Sequence, residues 1–172
     1  MRRVMAAAGS AVFFVLGPGL VAGLVPLWLT GWQVRQPRPY WAPLRVAGAA
    51  LIAAGAAGLV HAFVQFVREG SGTPAPVAPP ERLVVGGLYR HVRNPMYLAV
   101  VATILGQALA LGQPVLLWYA AAVGAAAGAF VRWYEEPTLR RRFGAQYEAY
   151  RRAVPAWWPR LRPWEPHEID QP

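Results

Sequence analysis

Long apolar runs alternate with short arginine-rich segments along this chain. Residues 4–34, 46–67 and 94–131 contain no Asp, Glu, Lys or Arg. A helix needs about 20 apolar residues to cross the hydrocarbon core of a bilayer. The third run is long enough for two crossings, and Gly112-Gln113-Pro114 near its middle is typical of a turn. The pattern therefore predicts four spanning helices, over residues 5–29, 46–67, 96–111 and 115–131.

A helix of different character is predicted after the fourth span. Apolar and aromatic residues recur there three or four positions apart, which places them on one helical face. They are Leu139, Phe143, Tyr147, Tyr150 and Val154. Arginines cover much of the other face, so this helix is expected to lie in the membrane interface over residues 138–153. We expect Pro155 to end it and Trp157, Trp158 and Trp164 to act as interfacial anchors.

The composition supports an all-α integral membrane protein with four transmembrane helices and a cytoplasmic interfacial helix. The chain has 172 residues, of which 56% are hydrophobic and 15% are charged. We treat residues 1–172 as a single membrane domain, because the chain is too short for two ordinary domains. The charged start and apolar run at the N-terminus predict a retained signal anchor; a cleaved signal peptide is the alternative.

The distribution of arginine predicts how the chain crosses the membrane. All seventeen basic residues are Arg. With four spans, fourteen of them lie on the side of the termini and three, Arg35, Arg38 and Arg45, lie on the other side. The positive-inside rule then places both termini and the loop between spans two and three in the cytoplasm, in the cell inner membrane. In such a protein the basic excess indicates topology and contact with anionic lipid, so no nucleic-acid partner is expected.

The densest polar chemistry lies at the start of the third span. Residues 87–99 read GLYRHVRNPMYLA, and the next charged residue after Arg93 is Arg132. Glu135 and Glu136 follow at the end of span four. Adjacent carboxylates repel, so we expect cations beside them, with Arg90, Arg93 and Arg132 as candidates. The plainer alternative is that these charges only mark the end of a membrane helix.

Several chemistries are disfavoured by what the sequence lacks. The chain has no cysteine, which excludes disulfides, thiolate catalysis and cysteine-ligated metals. No second histidine lies at ligand spacing from His61, so we predict no metal site. No phosphate-binding glycine pattern follows a predicted strand, so a nucleotide-like cofactor would not be held by a Rossmann fold.

Two separated motifs resemble the signature of one family. The first follows G-x-Y-R-x-x-R-[HN]-P-x-Y through Gly87, Tyr89, Arg90, Arg93, Asn94, Pro95 and Tyr97. The second comprises Glu135, Glu136, Leu139, Phe143, Gly144, Tyr147, Tyr150, Val154, Pro155 and Pro159. Together they resemble isoprenylcysteine carboxyl methyltransferases and phospholipid methyltransferases, over about residues 70–163. The chain departs at Asn94, where the prenylcysteine enzymes usually carry His, and this weakens the case for a prenylcysteine substrate.

The resemblance implies a membrane methyltransferase that uses S-adenosylmethionine and takes a lipophilic small-molecule acceptor from the bilayer. The cofactor-binding residues it implies are Tyr89, Arg90, His91, Arg93, Asn94, Pro95, Glu135, Glu136, Tyr147 and Tyr150. Among these, it suggests His91, Arg93 and Glu135 for catalysis. A Glu suits the cofactor's ammonium or hydroxyls, an Arg its carboxylate, and an aromatic face its sulfonium. An amine acceptor would need a base, for which His91 is the candidate.

Other functions are compatible with the same sequence. The acceptor could be a carboxylate, a hydroxyl or an amine, the last making the protein a phospholipid amine N-methyltransferase. An NADPH-dependent membrane reductase is a second enzyme class, and a non-catalytic scaffold or small transporter is a third. The sequence leaves the oligomeric state open, as well as which carboxylate holds which part of the cofactor.

Overall fold

The computed structural model describes residues 17–35, 41–70 and 82–165. All regular structure in these residues is helical, which confirms the predicted class. The main helices are α1 (Gly17–Thr30), α2 (Ala42–Gly70), α3 (Pro95–Leu111), α4 (Val115–Phe130) and α5 (Glu136–Ala153). A short 3₁₀ helix, Gly87–Arg90, precedes α3, and π-helical turns occupy Leu20–Leu24 and Val131–Glu135.

The helices follow the predicted apolar runs closely. Two helical runs, Ala42–Glu69 and Val115–Ala153, are long and apolar enough to cross a membrane. Gly17–Thr30 and Pro95–Leu111 are shorter apolar helices. The predicted first span begins at residue 5, and its residues 5–16 lie outside the described part of the chain. Large apolar side chains such as Val46 on α2 and Trp118 on α4 are mostly exposed, as lipid-facing residues would be.

Glycines let α2 and α3 touch through their backbones. A Cβ atom on Gly48 would lie 2.6 Å from the Gly106 carbonyl oxygen, and one on Gly106 would lie 2.7 Å from the Gly48 carbonyl oxygen. Two turns further along α2, a Cβ atom on Gly55 would lie 2.8 Å from the Ala99 carbonyl oxygen. Close backbone approach is how helices pack in lipid, where burial of apolar surface gives little driving force. The α2–α3 pair is therefore the scaffold on which the intervening loop rests.

Helix α1 is attached to the other helices by two side-chain hydrogen bonds. Gln107 Nε2 donates to the Ala22 carbonyl over 2.6 Å, and the Tyr119 hydroxyl donates to the Val21 carbonyl over 2.8 Å. Both carbonyls lie in the π-helical turn Leu20–Leu24, where the regular α-helical ladder is interrupted. These bonds place α1 against α3 and α4.

The structure differs from the prediction where the fourth span meets the next helix. We expected two helices separated near Pro137, but the chain is helical from Val115 to Ala153. The π-helical turn Val131–Glu135 directly precedes Pro137, which lies in the first turn of α5. Proline has no amide hydrogen to donate to the helical hydrogen-bond ladder. Because the π turn changes the hydrogen-bond pairing before Pro137, the helix continues past the proline.

Helix α5 contains its own interruption at Gly144. This residue has φ 50° and ψ −123°, values that lie outside the helical region and that glycine adopts without steric cost. The predicted apolar face nevertheless holds together. Tyr147, Tyr150 and Val154 are buried in one cluster, against which Leu139 and Phe143 pack. This cluster lies beside the loop that leads into α3, because Leu83 and Val85 also pack against it.

Candidate active site

The loop before α3 is held by hydrogen bonds to Glu69, near the end of α2. Glu69 accepts hydrogen bonds from the backbone amides of Val85 at 3.2 Å and Gly86 at 2.9 Å. Gln65 donates to the same carboxylate. Gly87 has φ 56° and passes close to His61, so the turn into the 3₁₀ helix needs glycine here. In the loop that these contacts hold, the Tyr89 side chain is buried.

Helix α5 holds the same loop from the opposite side. The Tyr150 hydroxyl donates to the Tyr89 carbonyl over 2.7 Å, and both residues are buried. Burial raises the pKa of the Tyr150 hydroxyl, which therefore stays protonated and able to donate. The two sequence motifs are joined at this hydrogen bond.

Arg93 and Glu136 form the central ion pair of the site. Arg93 Nη1 lies 2.6 Å from Glu136 Oε1 and 3.0 Å from the Tyr147 hydroxyl. Both charged side chains are about nine-tenths buried. Arg93 Nε donates to the Val154 carbonyl over 3.0 Å, and Arg151 lies 3.8 Å from the second Glu136 oxygen. Of the three arginines named as candidates, Arg93 is thus the one that pairs with Glu136, which compensates its charge.

Glu135 is held in a different way from its neighbour. Its Oε2 atom accepts a hydrogen bond from the Tyr97 hydroxyl at 3.1 Å, and no ion pair to it is found among the described residues. Burial raises the pKa of the Glu135 carboxyl. The Tyr97 hydrogen bond opposes this pKa rise, Glu136 adds to it, and Arg93 opposes it. Within the part of the chain that the structure describes, Glu135 is therefore a carboxylate without an ion-pair partner at the border of an apolar region.

Two cavities meet at these residues. The larger, about 430 Å³, lies among α1, α3 and α4, with an almost entirely apolar wall. The smaller, about 50 Å³, lies toward α5. Four residues line both cavities: Tyr89, Arg93, Asn94 and Glu135. The polar residues of the two motifs therefore form the wall between a large apolar cavity and a smaller cavity that Glu136, Tyr147 and Tyr150 also line.

Eight of the ten residues predicted to bind the cofactor line one cavity or both. They are Tyr89, Arg93, Asn94, Pro95, Glu135, Glu136, Tyr147 and Tyr150. Arg90 and His91 line neither of the two cavities described here. Arg90 is paired with Glu165, and His91 Nδ1 lies 2.8 Å from the Arg160 carbonyl oxygen. Arg132, a third candidate partner of the acidic pair, is exposed.

The structure adds residues that the sequence analysis did not single out. Glu69 was missed, although its position one turn after Gln65 at the end of a predicted span was a usable signal. Trp164 was expected to be an interfacial anchor, and this was wrong: it is buried, with its ring 5.5 Å from that of Tyr150. Trp158 is 83% exposed, as an anchor would be. The described residues contain no group of three or more metal-ligating side chains.

Comparison with known proteins identifies the family. Residues 44–146, more than half of the chain, match the family model for phospholipid methyltransferases. Neither the curated proteins nor the solved structures gave a match. The matched residues include all but the first two residues of α2, the whole of α3 and α4, and both Glu135 and Glu136. The chain therefore belongs to the phospholipid methyltransferase family and is an S-adenosylmethionine-dependent methyltransferase.

Proposed function

We propose that this enzyme methylates a lipophilic acceptor that enters from the bilayer, at the wall shared by the two cavities. The observation that carries the proposal is the position of Glu135, whose carboxylate forms no ion pair among the described residues and lines a large apolar cavity beside the buried Arg93–Glu136 pair. A cavity of this kind accepts an apolar molecule while a few polar groups fix its reacting end.

The residues at the wall suit the charged groups of S-adenosylmethionine, which supplies an electrophilic methyl group when bound. Glu135 lacks a cationic partner among the described residues, so it can hold the ammonium or the ribose hydroxyls. Tyr89 and Tyr97 line the larger cavity and offer aromatic faces for a sulfonium. Asn94 and Pro95, with Glu136, Tyr147 and Tyr150, complete the proposed cofactor site.

Arg93 has two functions in this proposal. It keeps Glu136 and Tyr147 in place through its Nη1 atom, and it lines both cavities. We assign the cofactor's carboxylate to this guanidinium, because guanidinium groups bind carboxylates well. The charge of Arg93 is offset by Glu136, which limits its repulsion of the sulfonium.

The acceptor's apolar part is assigned to the remainder of the larger cavity. Its wall there consists of Val21 on α1, Val100 on α3, and Val123, Ala126 and Ala127 on α4. Methyl transfer is an in-line displacement, so these residues act by positioning the acceptor and excluding water. A carboxylate acceptor needs no base. The contacts of His91 lie outside both cavities, so we assign it no proton transfer.

We further propose that α1 to α4 all cross the membrane, with the site on the cytoplasmic face. Three of the four apolar segments match the predicted spans, and Arg82, Arg90 and Arg93 lie on the loop that the charge distribution assigns to the cytoplasm. On this topology residues 70–163 form the catalytic region, and the water-soluble cofactor arrives from the cytoplasm.

Transfer of a radioactive methyl group tests the proposal. Purified protein in nanodiscs is incubated with methyl-labelled S-adenosylmethionine and a total lipid extract, and label is counted in the organic phase. We expect label to accumulate with wild type and to fall at least tenfold with Glu135→Gln, since a charge-assisted contact to the cofactor is lost. Equal labelling by both proteins would contradict the proposed site.

A further inference from the structure

The chain after α5 folds back onto the first motif as a strap, residues 154–165. Three backbone hydrogen bonds join the two segments. The Arg93 amide donates to the Pro155 carbonyl over 2.9 Å, and the amides of Arg160 and Trp164 donate to the carbonyls of His91 and Arg90 over 3.0 Å. The strap therefore runs along the loop that carries the proposed cofactor residues.

Side chains of the first motif strengthen this pairing. Arg90 Nε donates to the Trp164 carbonyl over 2.7 Å, and its guanidinium pairs with Glu165. His91 Nδ1 lies 2.8 Å from the Arg160 carbonyl oxygen, and Asn94 Nδ2 donates to the Ala156 carbonyl over 3.1 Å. Arg90 and His91 thus direct their polar atoms to the strap, on contacts outside both cavities.

The strap is also tied to the walls of the site. At its start, the Val154 carbonyl accepts a hydrogen bond from Arg93 Nε at 3.0 Å. At its end, Trp164 is buried against Tyr150, whose hydroxyl holds the Tyr89 carbonyl. Movement of the strap would therefore displace Arg93 and Tyr89, two residues that line both cavities. The strap lies beyond residue 146, where the family match ends.

We infer that Arg90 and His91 are positioning residues, which act on the cofactor site through the strap rather than by touching the cofactor or the acceptor. This inference rests on the proposed function. Its physical basis is a paired contact at each residue. The side chain contacts a carbonyl of the strap, and the amide of the same strap residue donates to the backbone carbonyl of Arg90 or His91. Removing either contact leaves the strap with fewer bonds to the loop. A looser strap lowers the fraction of protein in which Arg93 and Tyr89 are correctly placed.

Two readouts on Arg90→Gln and His91→Ala test the inference. The first is hydrogen–deuterium exchange in peptides covering residues 156–165, where we expect the exchange protection of the strap amides to fall about tenfold. The second is the affinity for S-adenosylhomocysteine, which we expect to fall by about the same factor. The KM for S-adenosylmethionine should rise accordingly, with kcat and its pH profile unchanged. His91→Asn keeps a side-chain donor and should recover part of both losses.

Matched controls make the outcome decisive. Arg141→Gln removes an exposed arginine on α5 and should match wild type in both readouts. Glu165→Gln removes the exposed carboxylate that pairs with Arg90 and keeps the Arg90 contact with the Trp164 carbonyl, so it should cause a smaller loss of strap protection and of affinity. This variant tests the inference even if Arg90→Gln fails to fold. Wild type is titrated first, so absence of binding there would count against the proposed function and not against the strap.

Three results would overturn the inference. Lower cofactor affinity with unchanged strap protection would mean that Arg90 or His91 contacts the cofactor directly. Lost strap protection with unchanged affinity and KM would mean that the strap does not position the site. A changed pH profile of kcat in His91→Ala would likewise assign that residue to proton transfer.

Discussion

Arg93 Nη1 lies 2.6 Å from Glu136 Oε1, and both side chains are about nine-tenths buried. This ion pair joins the loop before α3 to the start of α5, 43 positions later in the chain. Because the pair is mostly buried, removal of one partner leaves a poorly solvated charge without its counter-charge. The pair therefore links the stability of the fold to the geometry of the site.

Replacing Glu136 by Gln should destabilise the protein strongly. The buried Arg93 guanidinium would lose its nearest counter-charge, and breaking a buried ion pair costs about 3–5 kcal/mol. The free energy of unfolding can be measured by denaturant titration in mixed micelles. The control is Glu148→Gln, whose carboxylate is 40% exposed and paired with Arg140, and which should cost at most about 1 kcal/mol. Equal losses in the two variants would show that the Arg93–Glu136 pair is not effectively buried.

Cofactor affinity should fall as the pH is lowered. The fall should begin at a higher pH than the pKa of an ordinary glutamate would predict. Burial raises the pKa of Glu135, so its carboxyl takes up a proton earlier during acidification. The neutral acid binds a cationic ligand less well, so affinity is kept above the raised pKa and lost as the pH falls through it. Titration with S-adenosylhomocysteine at a series of pH values measures the midpoint.

Tyr97→Phe should move that midpoint to a still higher pH. The Tyr97 hydroxyl donates to Glu135 Oε2 and favours the ionised carboxylate, so the pKa of Glu135 rises further when the hydroxyl is removed. Glu135→Gln should abolish the pH dependence over this range. A midpoint that does not move in Tyr97→Phe would mean that Glu135 is not the group whose titration changes the affinity.

Gly106→Ala should loosen the α2–α3 pair. The new Cβ atom would lie 2.7 Å from the Gly48 carbonyl oxygen and 2.8 Å from the Ile52 amide nitrogen, so the helices must move apart. Overpacking of this kind costs about 1–3 kcal/mol. Gly128→Ala on α4 is the control, because nothing lies within 4 Å of the added atom. This control should leave the melting temperature unchanged or raise it slightly, since alanine has a higher helix propensity than glycine.

Filling the larger cavity should block the acceptor more than the cofactor. Ala126→Leu adds side-chain volume at the apolar wall on α4. We expect methyl transfer to a lipid extract to fall at least tenfold, as for a substrate excluded from its pocket, with nearly unchanged affinity for S-adenosylhomocysteine. Ala125 is on the same helix but lines neither of the two cavities, so Ala125→Leu should retain activity. Parallel loss of both quantities in Ala126→Leu would place the cofactor, not the acceptor, in this part of the cavity.

The helical bundle was predictable from the sequence because lipid imposes a simple rule. A spanning segment must satisfy its backbone internally and present apolar side chains, so the uncharged runs mark α2, α3 and α4 within a few residues. An arginine partner for the acidic dipeptide was also predicted, from the cost of leaving adjacent carboxylates without a cation, and Arg93 is one of the three candidates named. The π turn before Pro137 was not, because it depends on how the hydrogen-bond ladder adapts locally.

The path of the strap could not be predicted in the same way. Its side-chain contacts to the loop join residues 61 to 75 positions apart. Most of its acceptors are backbone carbonyls, which every residue carries and no sequence pattern marks. Trp164 shows the consequence: a tryptophan near the membrane suggests an interfacial anchor, whereas its packing against Tyr150 buries it. The sequence singled out Arg90 and His91 as candidate site residues, and their contacts with the strap are the basis of the positioning role that we propose for them.

The most direct test of the account is calorimetric titration of S-adenosylhomocysteine into the protein in nanodiscs, with Glu135→Gln beside wild type. We predict one binding site in wild type and at least a tenfold weaker affinity in the variant, because Glu135 is the carboxylate at the cavity wall that has no cationic partner among the described residues. The same affinity in a folded Glu135→Gln variant would contradict the assignment of the cofactor to the wall between the two cavities.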